Sequence, residues 1–175
     1  MKYPSPIHPG RRAALQRLSA LALAMPGIAL AQDKERTRLV LNVTASAGVN
    51  PDDAGRAAPI RVRIYELREA QTFLDADYFS LDEKDRILLA ADLLARDEFI
   101  LRPGESRKIE RKSQAETKAI GVLAGYRNLA QSNWRSVYRL GEAPEAAWYR
   151  ALIPSNKAQL MIDLQAQGIV VSTAS

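Results

Sequence analysis

One stretch constrains the fold more than any other: residues 50–67, Asn-Pro-Asp-Asp-Ala-Gly-Arg-Ala-Ala-Pro followed by Ile-Arg-Val-Arg-Ile-Tyr-Glu-Leu. Asn-Pro and Asp/Gly punctuation breaks regular structure, because proline fixes φ and glycine permits positive φ. Directly after Pro59, apolar and polar residues alternate with period two. Ile60, Val62 and Ile64 share one face; Arg61, Arg63 and Tyr65 share the other. The pattern predicts a half-buried strand from Pro59 to Leu67 with a polar, partner-accessible side, entered from a long exposed loop.

The same period recurs along the chain. Leu39, Leu41 and Val43 alternate within Arg38–Thr44 and predict the first strand. Between the two strands lies a turn-forming loop of about fourteen residues, a length at which loops are usually functional or disordered. The period then changes. Ser80-Leu81-Asp82-Glu83 has the form of a capping box, and Ile87, Leu88, Ala91, Leu94 and Ala95 follow at helical spacing, which predicts a helix over 81–95. Phe73, Tyr78 and Phe79 read as a short helical turn plugging the core. Further strands are expected at Glu98–Leu101, at Arg107–Lys112 (a charged edge strand) and at Lys118–Leu129. The last is read as central, with Gly121 and Gly125 allowing close packing. Gln159–Leu164 is expected as another strand, and Gly168–Ser172 either closes the sheet or frays. Trp134–Leu140 and Trp148–Leu152 fit either element, and both tryptophans are expected at the core or its margin. Strands, an inserted helix and more strands point to a mainly β protein, a two-layer β-sandwich with a small helical appendage.

The N-terminus reads as an export signal rather than as fold. Lys2, Arg11, Arg12 and Arg17 precede an apolar run over 18–30, and Ala29-Leu30-Ala31 fits the small-x-small cleavage rule. Residues 1–31 are therefore expected to leave, and 32–175 to form one domain starting at Gln32. Arg11-Arg12 with Leu15 echoes a twin-arginine signal. Ala14 replaces the usual aromatic, so general secretion is the expectation. Of the 25 basic and 20 acidic residues, the signal takes four basic and none of the acidic ones, which brings the exported part close to neutrality. That removes the main support for nucleic-acid binding. The one histidine, His8, leaves with the signal, and the chain has no cysteine. Imidazole and thiol catalysis go with them, as do the usual zinc and copper ligands.

Carboxylates remain to be weighed. Asp52 and Asp53 suit a turn. Asp75-x-Asp77 lacks the glycine and distal glutamate of a calcium loop. Asp82, Glu83 and Asp85 suit a helix start, where they oppose the macrodipole. Neither a Gly-x-Ser-x-Gly elbow nor a Ser-x-x-Lys motif occurs. The expectation is no enzyme, no cofactor and no bound metal. A hydrolase built on Asp75 and Asp77 ranks last. Ahead of it stands a periplasmic ligand-binding or inhibitor module using the Arg61, Arg63 and Tyr65 face.

The residues also resemble a known family, the TssJ outer-membrane lipoproteins of bacterial type VI secretion. Its pattern is matched by Asn50-Pro51, Gly55, Pro59 and Ile64-Tyr65-Glu66-Leu67. It is matched again by Phe73, Ala76-Asp77-Tyr78, Phe99, Leu101, Pro103-Gly104-Glu105, Ile120-Gly121-Val122, Ala124, Tyr126-Arg127 and Trp134-Arg135. These stand in order from Leu39 to about Arg139. The resemblance implies a transthyretin-like sandwich with an extra helical piece. It implies a structural role in the periplasm: binding the periplasmic C-terminal region of TssM, an inner-membrane protein, alongside other membrane-complex subunits, with no small-molecule substrate and no nucleic acid. The family's partner-binding loop corresponds to 46–58, which singles out Asn50, Asp52, Asp53 and Arg56. The family is lipidated on a cysteine at the first mature position. Gln32 stands there in this chain, so that route to an outer-membrane anchor does not carry over.

Overall fold

Alternating apolar positions fold here into two facing sheets. The computed structural model describes residues 36–141 and 157–173. Its strands are β1 (Arg38–Ala45), β2 (Ile60–Leu67), β3 (Leu93–Leu101), β4 (Ser106–Lys112), β5 (Ala119–Ala124), β6 (Arg135–Arg139), β7 (Lys157–Leu164) and β8 (Ile169–Thr173). One sheet has the order β4-β1-β7-β8, the other β3-β2-β5-β6. Every pairing is antiparallel except β1 with β7. The signal segment, Gln32 and Trp148–Leu152 lie outside the described residues.

The core follows the alternation. Leu39, Leu41 and Val43 of β1 pack with Leu160, Ile162 and Leu164 of β7, against Ile60, Val62 and Ile64 of β2; all are fully buried. Each such side chain contributes about 1.5–3 kcal/mol by leaving water. The charged strand β4 is an edge, as its composition predicts, and β5 is interior, between β2 and β6. A Cβ at Gly121 would stand 3.1 Å from Leu67 Cδ1 and 3.3 Å from the Phe73 ring. That contact is the close packing expected of this glycine. The ambiguous stretch after Trp134 is the edge strand β6.

The helical insert departs from the expectation. It consists of α1 (Gln71–Asp75) and α2 (Tyr78–Leu88). The cap is Asp77, three residues earlier than the Ser80 box: its carboxylate accepts from the Ser80 N–H at 3.0 Å and from the Ser80 hydroxyl at 2.6 Å. Both residues are good caps, and the earlier one starts the helix. The buried stripe of α2 is Leu81 and Asp85, continued by Leu89; Ile87 is 80% exposed. Leu94 and Ala95 belong to β3, because the chain leaves the helix at Leu88.

The insert covers the face of β2 expected to be open. Tyr65, Leu67, Phe73, Leu81, Leu89 and Leu123 form a second apolar cluster on that side. Arg63 is 5% exposed. It donates to Glu98 Oε2 at 2.9 Å, to the Leu81 carbonyl at 3.1 Å and to the Asp82 carbonyl at 2.9 Å. The Tyr65 hydroxyl donates to Asp85 Oδ2 at 2.8 Å, as does Arg96 Nε at 2.7 Å. Arg61 pairs with Asp82. The polar residues are polar because they fasten the helix to the sheet. A face so occupied is not a surface for a ligand.

Glu66 falls on the inner face of β2 and is fully buried. It accepts from Arg111 Nε of β4 at 2.7 Å, from the Gln114 N–H at 2.8 Å and from the Thr117 hydroxyl at 2.8 Å. Arg111 also donates to Asp97 at 2.6 Å. The two sheets are thereby joined by a charged clasp at the end of the sandwich where β2 terminates.

Candidate functional site at the loop end of the sandwich

Strand parity gathers the connections β1–β2, β3–β4, β5–β6 and β7–β8 at one end of the sandwich, while β1 enters from the other. Loops on a rigid sheet scaffold are the usual place for recognition. The β1–β2 loop is the longest of the four and is held from within.

Asn50 is the staple. It is 4% exposed and has φ +49°, a left-handed conformation that asparagine tolerates better than most residues. Its Nδ2 donates to the Pro59 carbonyl at 3.0 Å, and its Oδ1 accepts from the Arg127 N–H at 2.8 Å. The loop is thus closed on itself and tied to the β5–β6 connection. Val49 beside it is fully buried, and Ala58 is buried too. The expected wholly exposed loop is therefore anchored at Val49, Asn50 and Ala58, with Ala47, Gly48 and the tip over 53–56 in solvent.

Asp52 shapes that tip. Its Oδ1 accepts from the Ala54 and Arg56 N–H groups at 3.0 and 2.9 Å, and its Oδ2 from Arg56 Nε at 2.8 Å. The Asp52 N–H donates to the Arg56 carbonyl at 2.9 Å, and Gly55, at φ +76°, closes the turn onto the Asp52 carbonyl. The Arg56 main-chain N–H holds the Asp52 carboxyl below its ordinary value; desolvation opposes it, and the Arg56 guanidinium and the Ala54 N–H add to the lowering. Asp53, at the apex, makes no hydrogen bond or ion pair among the described residues. Of the four residues singled out from sequence, Asn50 is internal, Asp52 and Arg56 form a paired rim, and Asp53 is open to solvent.

The loop walls a cleft of about 560 Å³, completed by Tyr126, Arg127, Asn128 and Ser132 of the β5–β6 connection and by Ala166 and Gln167 of the β7–β8 turn. The Tyr126 hydroxyl donates to the Gln165 carbonyl at 3.1 Å, and burial pushes that phenol's pKa up. Asn133 bridges in parallel to Gly168. These residues are far from the loop in sequence, so no local pattern announced them. The Tyr126-Arg127 pair was visible only as a family motif.

Among the described residues, no three His, Cys, Asp or Glu side chains are grouped to hold a metal ion. Asp75 bonds to Gln71, and Asp77 caps α2. What the arrangement can do is bind: a stiff sandwich displays one structured loop and an adjoining cleft. The fold and site define a small β-sandwich binding scaffold. The family model for the type VI secretion lipoproteins (VasD, EvfM, TssJ) matches residues 37–167, and the chain belongs to that family.

Solved structures agree. The type VI lipoprotein TssJ1 from Pseudomonas aeruginosa is 38% identical, with TM-score 0.69, over 80% of this chain and 98% of that one. Serratia marcescens Lip, a membrane-bound component of the type VI secretion system, is 30% identical, also at TM-score 0.69, over 80% and 99%. A chain in a structure of the type VI protein TssM C-terminal domain from EAEC is 25% identical, with TM-score 0.60, over 77% and 99%. No curated protein matches the chain.

Proposed function

We propose that this protein binds the periplasmic C-terminal region of a TssM-like inner-membrane protein through residues 46–58, on the periplasmic side of the cell envelope, as a structural part of the type VI membrane complex. The observation that carries the reading is the construction of the loop. Asn50 and Asp52 fix its shape from inside, leaving Asp53 and Arg56 displayed, so binding requires little ordering. Asn50 acts here by holding the loop rather than by touching the partner. The TssM domain named for the EAEC structure supports the choice of partner. The other reading, a small-ligand module on Arg61, Arg63 and Tyr65, loses its surface to α2. No helix among the described residues is long and apolar enough to cross a membrane.

The test is calorimetry of the processed protein with the TssM-like region from the same organism. The expected outcome is micromolar or tighter binding, about −8 kcal/mol or better. Replacing residues 52–56 by a Gly-Ser segment of equal length should abolish binding and leave the fold intact. Undiminished binding by that variant would sink the loop assignment.

A further inference from the structure

The cleft beside the loop contains more chemistry than the loop reading uses. Four of its lining groups have no hydrogen-bond partner among the described residues: the Asp53 carboxylate, the Arg127 guanidinium, the Gln167 side-chain amide and Ser132 Oγ. The last is a buried hydroxyl without a partner, an uncommon state in native proteins that calls for an explanation. The other polar groups are occupied. Asn128 bonds to Gln131 at 3.0 Å, Asn50 bridges Pro59 and Arg127, and Asp52 holds Arg56.

The walls are also fixed to one another. Asn50 ties the β1–β2 loop to the β5–β6 connection, and Tyr126 ties that connection to the β7–β8 turn. The Asn133 N–H donates to the Gln167 carbonyl at 2.9 Å, and the Ser46 N–H to the Leu164 carbonyl at 2.9 Å. A preformed concavity of this size falls in the range of about 300–1,000 Å³ typical of ligand sites. It is too large for one side chain and suits a few residues of extended chain.

We infer that the cleft receives a short extended peptide segment of the same partner. This inference rests on the proposed function and deepens it. Gln167, exposed in the cleft, offers both a donor and an acceptor, which is what the alternating N–H and C=O groups of an extended chain require; the Ser132 hydroxyl is sealed behind the wall. Asp53 and Arg127 supply one charge of each sign at the mouth. The segment that fits therefore carries a basic and an acidic side chain. The interface is composite: the loop tip meets the partner's surface while the partner's segment lies between the loop and the β7–β8 turn.

Two exposed positions outside the loop test this. Ala166→Trp fills the cleft from its rim, and Arg127→Glu inverts its cation; neither side chain supports the core. Each variant is titrated with the TssM-like region beside the Gly-Ser loop variant, with melting temperature as the control for folding. The expected result is at least tenfold weaker binding for both at an unchanged melting temperature, and new amide-exchange protection at Ser132 and Gln167 in the unaltered complex. Wild-type affinity in both cleft variants, with binding lost in the loop variant, overturns the cleft assignment and leaves the loop reading standing. Weakened cleft variants with an intact loop variant place the contact in the cleft and overturn the loop reading instead. Failure of the unaltered protein to bind overturns both.

Discussion

Asn50 combines three separable contributions, and a series of substitutions resolves them. Asn50→Ala removes the bond to the Pro59 carbonyl (3.0 Å) and the bond from the Arg127 N–H (2.8 Å), and it places alanine at φ +49°. A typical hydrogen bond contributes about 0.5–1.5 kcal/mol net, and a buried group left without a partner costs about 1–3 kcal/mol. The left-handed conformation costs an ordinary L-residue about 1–2 kcal/mol. Asn50→Ala should therefore lower unfolding stability by about 2–4 kcal/mol in a urea titration with unchanged slope. Asn50→Gly loses the same bonds but relaxes φ. Glycine's greater freedom in the unfolded chain offsets part of that gain, so this variant should lie about 1 kcal/mol above alanine. Asn50→Asp tolerates φ and keeps the acceptor for Arg127, but sets a carboxylate against the Pro59 carbonyl; it should be weakest at neutral pH and recover on acidification. An alanine variant within about 0.5 kcal/mol of wild type, or a glycine variant below the alanine one, would refute the argument.

Three further outcomes follow from buried groups. Glu66→Ala leaves Arg111 without its buried partner and orphans Gln114 N–H and the Thr117 hydroxyl; the expected loss is about 3–5 kcal/mol in denaturant unfolding. Gly121→Ala forces a Cβ to 3.1 Å from Leu67 and 3.3 Å from Phe73, and should lower stability by about 1–3 kcal/mol through overpacking, read from the melting temperature. Burial pushes Asp85 upward, but the bonds from Tyr65 and Arg96 and the charge of Arg63 outweigh it and hold the carboxyl below its usual value. A depressed carboxylate stabilises the fold above the unfolded value of about 3.9 and loses that contribution as pH falls through the lower folded value. Asp85→Asn should therefore flatten the acid limb of the stability curve, and an unchanged limb would assign it to other groups.

How much of this was legible in the sequence differs by element. β1 and β2 were plain because one face of each is apolar at nearly every position, Glu66 being the exception, and period two needs no context. The insert was misplaced because its buried stripe contains Asp85, a carboxylate that is internal only because Tyr65 and Arg96 meet it. No local pattern reveals a partner that far away. The same tertiary pairing hid Arg63 and Tyr65, which read as a solvent face. Glu66 offered a usable sign: it sits in phase with Ile60, Val62 and Ile64, and a charge on an apolar face asks for a partner. At the loop, Asn-Pro and Gly correctly marked a turn. Which side chain was internal could not be read, since Asn50 finds one of its partners 77 residues away. The β5–β6 and β7–β8 portions of the cleft meet the loop only through strand order.

The placement of β1 has a mechanical consequence. Its eight residues run from the end of the sandwich where the chain enters to the end where the loop begins, a span of about 26 Å at roughly 3.3 Å per residue. A pull applied between the segment before Arg38 and the loop after Ala45 passes along that one strand. The strand is already extended, so tension lengthens it little, and β4 and β7 clamp it along both sides. Force would travel through covalent backbone without drawing on the hydrophobic core or opening a hydrogen-bonded ladder. A domain strung in this way has the geometry of a tie-rod: tension between its entering segment and its loop would leave the rest of the fold unloaded.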